Sequence, residues 1–231
     1  MNFSIIIPVY NEEENILILI EEIIKSIESK FTYEIIIVND CSTDDTDKKL
    51  SQFLKFSWIS TIKHKKNLGQ SKSILTGINN SKYDTILTID GDLQNDPKDI
   101  NKLLNCYFMN DYSLVAGIRK KRKDSFIKIA SSYLANKIRS HILNDNCVDT
   151  GCSLKVFRKN EFLKFPFFDG IHRFLPALFI GFKKKVFYIE VNHRYRISGV
   201  SKYGTFNRLI RGIIDTNRVS KIIRNQKNSN D

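Results

Sequence analysis

Two acidic side chains one residue apart, Asp90-Gly91-Asp92, close an apolar run that reads as a β-strand, Asp84 to Asp90. If the backbone stays extended through Gly91, side chains two apart point the same way and the two carboxylates converge. The glycine between them would let a ligand approach closely. Carboxylate oxygens suit Mg²⁺ or Mn²⁺, and Mg²⁺ characteristically divides its shell between one or two carboxylates and substrate phosphates. The chemistry suggested is a metal that neutralises a departing diphosphate. Asp-Gly-Asp is also common in solvated turns, so the triplet has weight only in company.

Company is present. Asp40 follows a second apolar run, Glu34 to Asn39, and opens Asp40-Cys41-Ser42-Thr43-Asp44-Asp45-Thr46. A carboxylate there can accept hydrogen bonds from a nucleotide's base or ribose, or cap the helix that follows. Pro8-Val9-Tyr10-Asn11-Glu12 ends a third run, Phe3 to Val9.

The elements that must position these residues alternate. Strands are expected at Phe3–Val9, Glu34–Asn39, Trp58–Lys63, Asp84–Asp90, Ser113–Gly117 and Lys185–Asn192. Helices are expected at Glu12–Ser29, Thr43–Leu54, Gly69–Asn80, Lys98–Phe108 and Asp124–Leu143, with Pro97 at the opening of the fourth and an acidic first turn on the first. Strands that are apolar on both faces and alternate with helices imply an α/β fold, a mainly parallel sheet covered on both sides. Ligands of such sheets bind beyond the carboxyl ends of the strands, where the three polar segments fall.

The chain has 231 residues, 42% hydrophobic and 27% charged, with 10 Gly and 4 Pro, which excludes a disordered or fibrous chain and fits one large domain. Cys41, Cys106, Cys147 and Cys152 show no paired or metal-finger spacing, so a reducing cytosol is expected. No apolar run approaches the ~20 residues of a membrane span, and the N-terminus lacks a basic leader, so a soluble or peripheral cytoplasmic protein is expected. Net charge is +12 and asymmetric. Residues 1–115 hold 12 Lys+Arg against 17 Asp+Glu (net −5), and residues 116–231 hold 25 against 8 (net +17). A cation-handling first half and a second half that meets an anion follow from that division.

Ile6 to Ile16 (IIPVYNEEENI), Ile37 to Thr46 (IVNDCSTDDT), Asn67 to Ile78 (NLGQSKSILTGI) and Thr88 to Pro97 (TIDGDLQNDP) together resemble the inverting GT-A glycosyltransferases of family 2. Within that family the Asp-x-Asp-Leu-Gln form is similar to the polyprenyl-phosphate sugar transferases, the branch of dolichyl-phosphate mannose synthase. The resemblance runs from about residue 3 to about residue 215, close to a whole domain. It implies a GT-A catalytic domain over 1–204, with a nucleotide-sugar half (1–117) and an acceptor half (118–204), followed by a basic amphipathic helix and tail over 205–231. It also implies that Pro8, Tyr10 and Glu12 line the nucleotide pocket, that Asp40 contacts base or ribose, and that Asp90 and Asp92 hold Mg²⁺ or Mn²⁺. Asp92 is then placed directly on the metal and Gln94 on metal or diphosphate. Gly91 stands where Ala or Asp is frequent, a mild departure.

In the second half, Gly117-Ile118-Arg119 resembles a segment whose Arg faces the lipid phosphate, and Asp149-Thr150-Gly151-Cys152-Ser153 resembles the catalytic-centre stretch. His172 to Pro176 (HRFLP) and His193 to Gly204 (HRYRISGVSKYG) also match the branch, and the resemblance makes Arg196, Ser201 and Lys202 candidates for gripping phosphate. Arg and Lys on a glycine-containing loop suit charge-assisted phosphate contacts independently of any likeness. A phosphate acceptor is already ionised, so displacement at the anomeric carbon needs positioning by Arg119, Arg196 and Lys202 more than a base. An alcohol acceptor would need Asp149 as base.

From Phe206 to Arg224, apolar residues alternate with Arg208, Arg211, Arg218, Lys221 and Arg224. Such a helix can lie on an anionic membrane surface or pack on its own domain. Peripheral attachment at the inner face of the cell membrane, or a membrane-embedded partner, is expected. The rivals are a soluble family member that elongates a cell-surface saccharide, a sugar nucleotidyltransferase, which would show a Gly-rich loop where Tyr10-Asn11-Glu12 stands, and a nucleic-acid-binding protein. The last lacks any recognisable base-reading motif and places acidic strand ends where a phosphate backbone would lie, so no nucleic-acid partner is expected.

Overall fold

The computed structural model describes residues 1–120, 137–195 and 205–228. A seven-stranded sheet is built from β1 (Asn2–Val9), β2 (Thr32–Asn39), β3 (Ile59–Lys63), β4 (Thr85–Thr88), β5 (Leu114–Arg119), β6 (Lys155–Arg158) and β7 (Val186–Val191), in spatial order β3-β2-β1-β4-β6-β5-β7. Strands β3, β2, β1 and β4 run parallel, as do β5 and β7, while β6 runs antiparallel to both β4 and β5. The expected parallel α/β sheet is therefore interrupted by one reversed strand that the sequence did not announce. Four residues of Lys-Val-Phe-Arg are too short for periodicity to distinguish from a loop.

Helices α1 (Ile16–Ser26), α2 (Thr46–Leu50), α3 (Gln70–Asn79) and α4 (Asp99–Met109) follow their strands, as the alternation requires. Among the described residues, α5 covers 137–143, the part of the expected Asp124–Leu143 helix that can be described. Then come α6 (Lys159–Phe162), α7 (Leu175–Gly181) and a 24-residue α8 (Thr205–Asn228). Two helices are shorter than expected. The first begins at Ile16, because the Glu12 carbonyl accepts the Asn15 and Ile16 N–H groups in a turn before it, and its first turn carries no acidic residue. The second stops at Leu50 and gives way to a 3₁₀ turn over Ser51–Phe53.

Side chains alternate across β1, so Phe3, Ile5 and Ile7 pack with Leu19, Ile20, Ile23, Leu103 and Leu104 of α1 and α4. Ile6 faces the other way, into Ile74, Ile78, Leu178, Phe179 and Val219 of α3, α7 and α8. Both faces of the sheet are thus covered. The C-terminal helix joins the second core through Val219, Ile222 and Ile223.

Candidate active site

The site forms where β1, β2 and β4 end side by side. A non-glycine residue at positive φ turns the chain after each of them: Asn11 (54°) after β1, Cys41 (64°) after β2 and Leu93 (59°) after β4. Left-handed backbone is costly for side-chain-bearing residues and persists where surrounding structure holds it. Here the holding is visible. Asn11 Oδ1 accepts the Thr43 N–H (2.8 Å), the Asn11 N–H donates to Ser42 Oγ (2.9 Å), and the Glu12 N–H donates to Thr46 Oγ1 (3.0 Å). Across the same seam the Glu13 N–H donates to Asp44 Oδ2 (3.2 Å), and Glu13 Oε2 accepts the Asp45 N–H (2.8 Å). The loops after β1 and β2 make one rigid ledge.

Pro8 sits within β1 opposite Val38, and Tyr10 lies partly exposed at its end. Glu12 is buried, accepting Asn15 Nδ2–H (2.7 Å) on its carboxylate. Asp40 is buried, and both its oxygens are engaged. Oδ1 accepts the Leu68 N–H (2.9 Å) and faces His64 Nδ1 (2.7 Å), while Oδ2 accepts the Gly69 N–H (2.8 Å). Asp40 therefore ties the end of β2 to the segment that opens α3.

Strand β4 ends at Thr88, and Gly91 and Asp92 lie in a turn. The expectation of extended backbone through Gly91 is corrected, and so is the role of the glycine. A Cβ there would meet Val9 Cγ1 at 2.9 Å, so its smallness serves close packing on the end of β1 rather than ligand approach. The carboxylates still meet electrostatically. Burial and the adjacent Asp92 push Asp90 up to about 7, against opposing help from Ser153, Lys155 and Arg119. Asp90 Oδ1 accepts Gln70 Nε2–H (2.7 Å), its N–H donates to Ser153 Oγ (3.2 Å), and that hydroxyl donates to Asn95 Oδ1 (2.7 Å). Asp92 Oδ1 accepts the Gln94 N–H (3.2 Å), and the Gln94 carbonyl accepts the Arg194 N–H (2.9 Å).

Two crowded carboxylates are a good seat for a divalent cation, whose charge would relieve their mutual repulsion. No group of three or more His, Cys, Asp or Glu arranged for a metal occurs among the described residues. The Asp90–Asp92 pair fits a hard cation that takes its remaining oxygens from a phosphate ligand.

Arg119, at the end of β5, meets Asp149 as a fork. Nε donates to Oδ2 and Nη2 to Oδ1, each at 2.7 Å, and the Arg119 and Gly151 N–H groups donate to the same two oxygens at 3.1 and 3.2 Å. Gly151 makes room for the guanidinium, since a Cβ there would stand 2.7 Å from Arg119 Nη2. Arg196, Ser201 and Lys202 lie outside the described residues.

Several neighbours escaped the sequence-based expectations. Gln70 lies inside a quoted motif, but nothing in the sequence aims it at Asp90. Ser153 closes the Asp149 stretch, but nothing in the sequence aims its hydroxyl at the Asp90 N–H. Lys155 is buried, opposite Thr88 in the β4–β6 register, and its ammonium donates to the Cys152 carbonyl. It is visible only once β6 is seen to be a strand. Arg194 binds Glu22 (2.6 Å) and Asp96 (2.7 Å), so the start of the HRYR segment clamps the turn that carries Asp92 and Gln94.

Residues 4–165 match the family model described as Glycosyl transferase family 2. A dodecaprenyl-phosphate galacturonate synthase of Rhizobium johnstonii is 33% identical over 221 residues, 93% of this chain and 65% of that protein. An undecaprenyl-phosphate 4-deoxy-4-formamido-L-arabinose transferase of Proteus mirabilis is 33% identical over 215 residues, 92% of this chain and 65% of that protein. The chain thus spans just under two thirds of the length of these relatives. Among solved structures, glucosyl-3-phosphoglycerate synthase from Mycobacterium tuberculosis in complex with Mn²⁺, UDP and phosphoglyceric acid superposes with a TM-score of 0.70 at 14% identity, over 93% of this chain and 78% of that one. That likeness shows the GT-A fold.

Proposed function

The chain belongs to glycosyl transferase family 2, and on that premise we propose that it transfers a sugar, with inversion, from a UDP- or GDP-sugar to a polyprenyl phosphate. The polyprenyl-phosphate acceptors named for the two relatives support this acceptor class. The observation that carries it is the state of Asp149. A carboxylate offers about four acceptor sites, and Arg119 with two backbone N–H groups occupies four. A carboxylate so engaged is poorly placed to take a proton from an alcohol, whereas a phosphate acceptor brings an ionised oxygen and needs only to be held.

The steps follow from the residues. The ledge of residues 10–13 and 42–46 cradles the nucleotide, with Tyr10, Glu12 and Asp40 at its base. An acceptor phosphate oxygen, held by Arg119 with Arg196, Ser201 and Lys202, forms a bond to the anomeric carbon. The bond from that carbon to the donor's diphosphate oxygen breaks, and the nucleoside diphosphate leaves. Bound at Asp90 and Asp92, with Gln94 beside them, Mg²⁺ or Mn²⁺ would neutralise the charge on the departing diphosphate. The Mn²⁺ and UDP held by the mycobacterial neighbour support a cation of this kind.

Among the described residues no helix is long and apolar enough to cross a membrane. Ile213 and Ile214 of α8 are 58% and 53% exposed, with Arg211 and Arg218 on the same helix. Together they suit peripheral attachment to an anionic surface, at the cytoplasmic face where nucleotide sugars are available, or to a membrane-embedded partner.

The test is release of nucleoside diphosphate by purified protein with Mn²⁺ or Mg²⁺, a panel of UDP- and GDP-sugars, and undecaprenyl or dolichyl phosphate. Release that requires both lipid and metal is expected. Release that ignores lipid phosphate and responds to a saccharide would overturn the acceptor assignment.

A further inference from the structure

We propose that Ser71, His172 and Lys155 form a subsite that receives an oxygen acceptor, hydroxyl or carboxylate, on the sugar being transferred; the assignment rests on the donor class proposed above. Its placement follows from consecutive residues of α3. Gln70 donates to Asp90 Oδ1 (2.7 Å), and the next residue, Ser71, bonds His172 Nδ1 (2.7 Å). The imidazole and the Asp90 carboxylate thus hang from one helical turn, and the donor's diphosphate and sugar are joined by one glycosidic oxygen.

The ring is fixed rather than merely packed. Ser71 Oγ accepts the Gly170 N–H (2.7 Å), which aims the hydroxyl hydrogen at Nδ1 and leaves the proton of the neutral ring on Nε2. Burial and the charges of Arg173 and Lys155 hold the imidazole well below its ordinary titration, at about 3. His172 is only partly buried, and Nε2 has no partner among the described residues. It is an N–H donor open to a ligand.

Lys155 supplies the second, independent observation. It is 3% exposed, and no carboxylate lies within ion-pair distance of its ammonium among the described residues. One of its three donors is engaged, by the Cys152 carbonyl. A buried ammonium with no carboxylate in ion-pair contact is costly, and persists where it has something to meet. Asp90 and His172 both feel its charge. The subsite therefore presents only donors, a neutral N–H and an ammonium, and the complementary group is an oxygen with free lone pairs. The nucleotide has no such group on this side of its diphosphate, but the sugar does.

Calorimetric titration of the full chain with Mn²⁺ against UDP, GDP, UDP-glucose, UDP-glucuronate and GDP-mannose tests this. His172→Asn keeps a partner for Ser71 and removes the Nε2 donor, and Lys155→Met keeps the length and removes the charge. Each is expected to weaken the bound nucleotide sugar roughly tenfold while leaving its nucleoside diphosphate within about twofold. A Lys155→Met loss larger for UDP-glucuronate than for UDP-glucose assigns the acceptor as a carboxylate, and an equal loss assigns it as a hydroxyl. Parallel losses for diphosphate and sugar nucleotide, or no loss, would overturn the subsite while leaving the transferase proposal standing. Wild-type protein that binds no member of the panel would overturn both.

Discussion

Arg119 and Asp149 are joined at both ends of a fork, two bonds of 2.7 Å with a backbone N–H added at each carboxylate oxygen. The pair is 30 residues apart in sequence and brings the end of β5 against the loop before β6. Lysine cannot reproduce that geometry, because its ammonium is a point donor rather than a planar fork. Arg119→Lys is therefore expected to lower kcat by roughly 100-fold with little change in the affinity for nucleotide. Asp149→Asn is the discriminating partner. As a positioning residue it should cost kcat while the pH–rate profile keeps its shape. A rate in Asp149→Asn that rises in proportion to hydroxide would identify Asp149 as a base and overturn the phosphate-acceptor argument.

Burial first, and then the charge of the adjacent Asp92, lift Asp90 to about 7. Asp92 lies on the turn and leaves Asp90 to the Gln70 and Ser153 bonds that hold it. Asp92→Asn removes the neighbouring charge without removing volume, so the fold should survive. Turnover is expected to fall by roughly 10³-fold, and Mn²⁺ should no longer strengthen nucleotide binding in a fluorescence titration. Near-normal turnover in this variant would exclude the Asp pair as the cation seat.

How far the sequence carried depended on the range of the interaction. The strand–helix alternation through Arg119 and the three polar strand ends were legible because they rest on local hydropathy and on the rule that places ligands beyond the carboxyl ends of parallel strands. Strand β6 was not, since a four-residue strand held by β4 and β5 on either side needs no pattern of its own. Lys155 was hidden with it. The start of α1 was misplaced because Glu12-Glu13-Glu14 looks like a dipole-matched first turn, yet Glu13 is bound to the β2 loop, with its carboxylate accepting the Asp45 N–H. Gln70 required knowing that it reaches Asp90, 20 residues on, and Ser71 and His172 that residues 101 apart touch, and no spacing rule provides either.

His172 should make the fold acid-sensitive in a calculable direction. An unfolded histidine binds its proton near 6.5, whereas the folded ring resists until about 3. The unfolded state therefore holds more protons between those values, and stability falls as pH drops through that window. The loss reaches about 2 kcal/mol by pH 5. Asp90, displaced upward, acts with the opposite sign between 3.8 and 7. It is common to both proteins when wild type is compared with His172→Asn, so the difference in Tm between them isolates the histidine. Wild type should lose ground to the variant steadily from pH 6.5 to 5. A difference in Tm that stays flat across that range would show that the ring is not held neutral.

Helix α8 has two faces that should separate in experiment. Val219 is fully buried, Ile222 and Ile223 pack on the same core, and Asp215 binds Arg173 (2.9 Å), the residue after His172. Val219→Ala should therefore cost about 2 kcal/mol and lower Tm by roughly 4–8 °C. Ile213 and Ile214 lie mostly exposed on the same helix, and replacing both by serine should leave Tm within about 1 °C, in the range of surface substitutions. If α8 is the membrane contact, that double variant should lose most of its sedimentation with phosphatidylglycerol vesicles, while Val219→Ala retains it below its melting temperature. Equal vesicle binding by wild type and the double serine variant would move the attachment away from this face of α8.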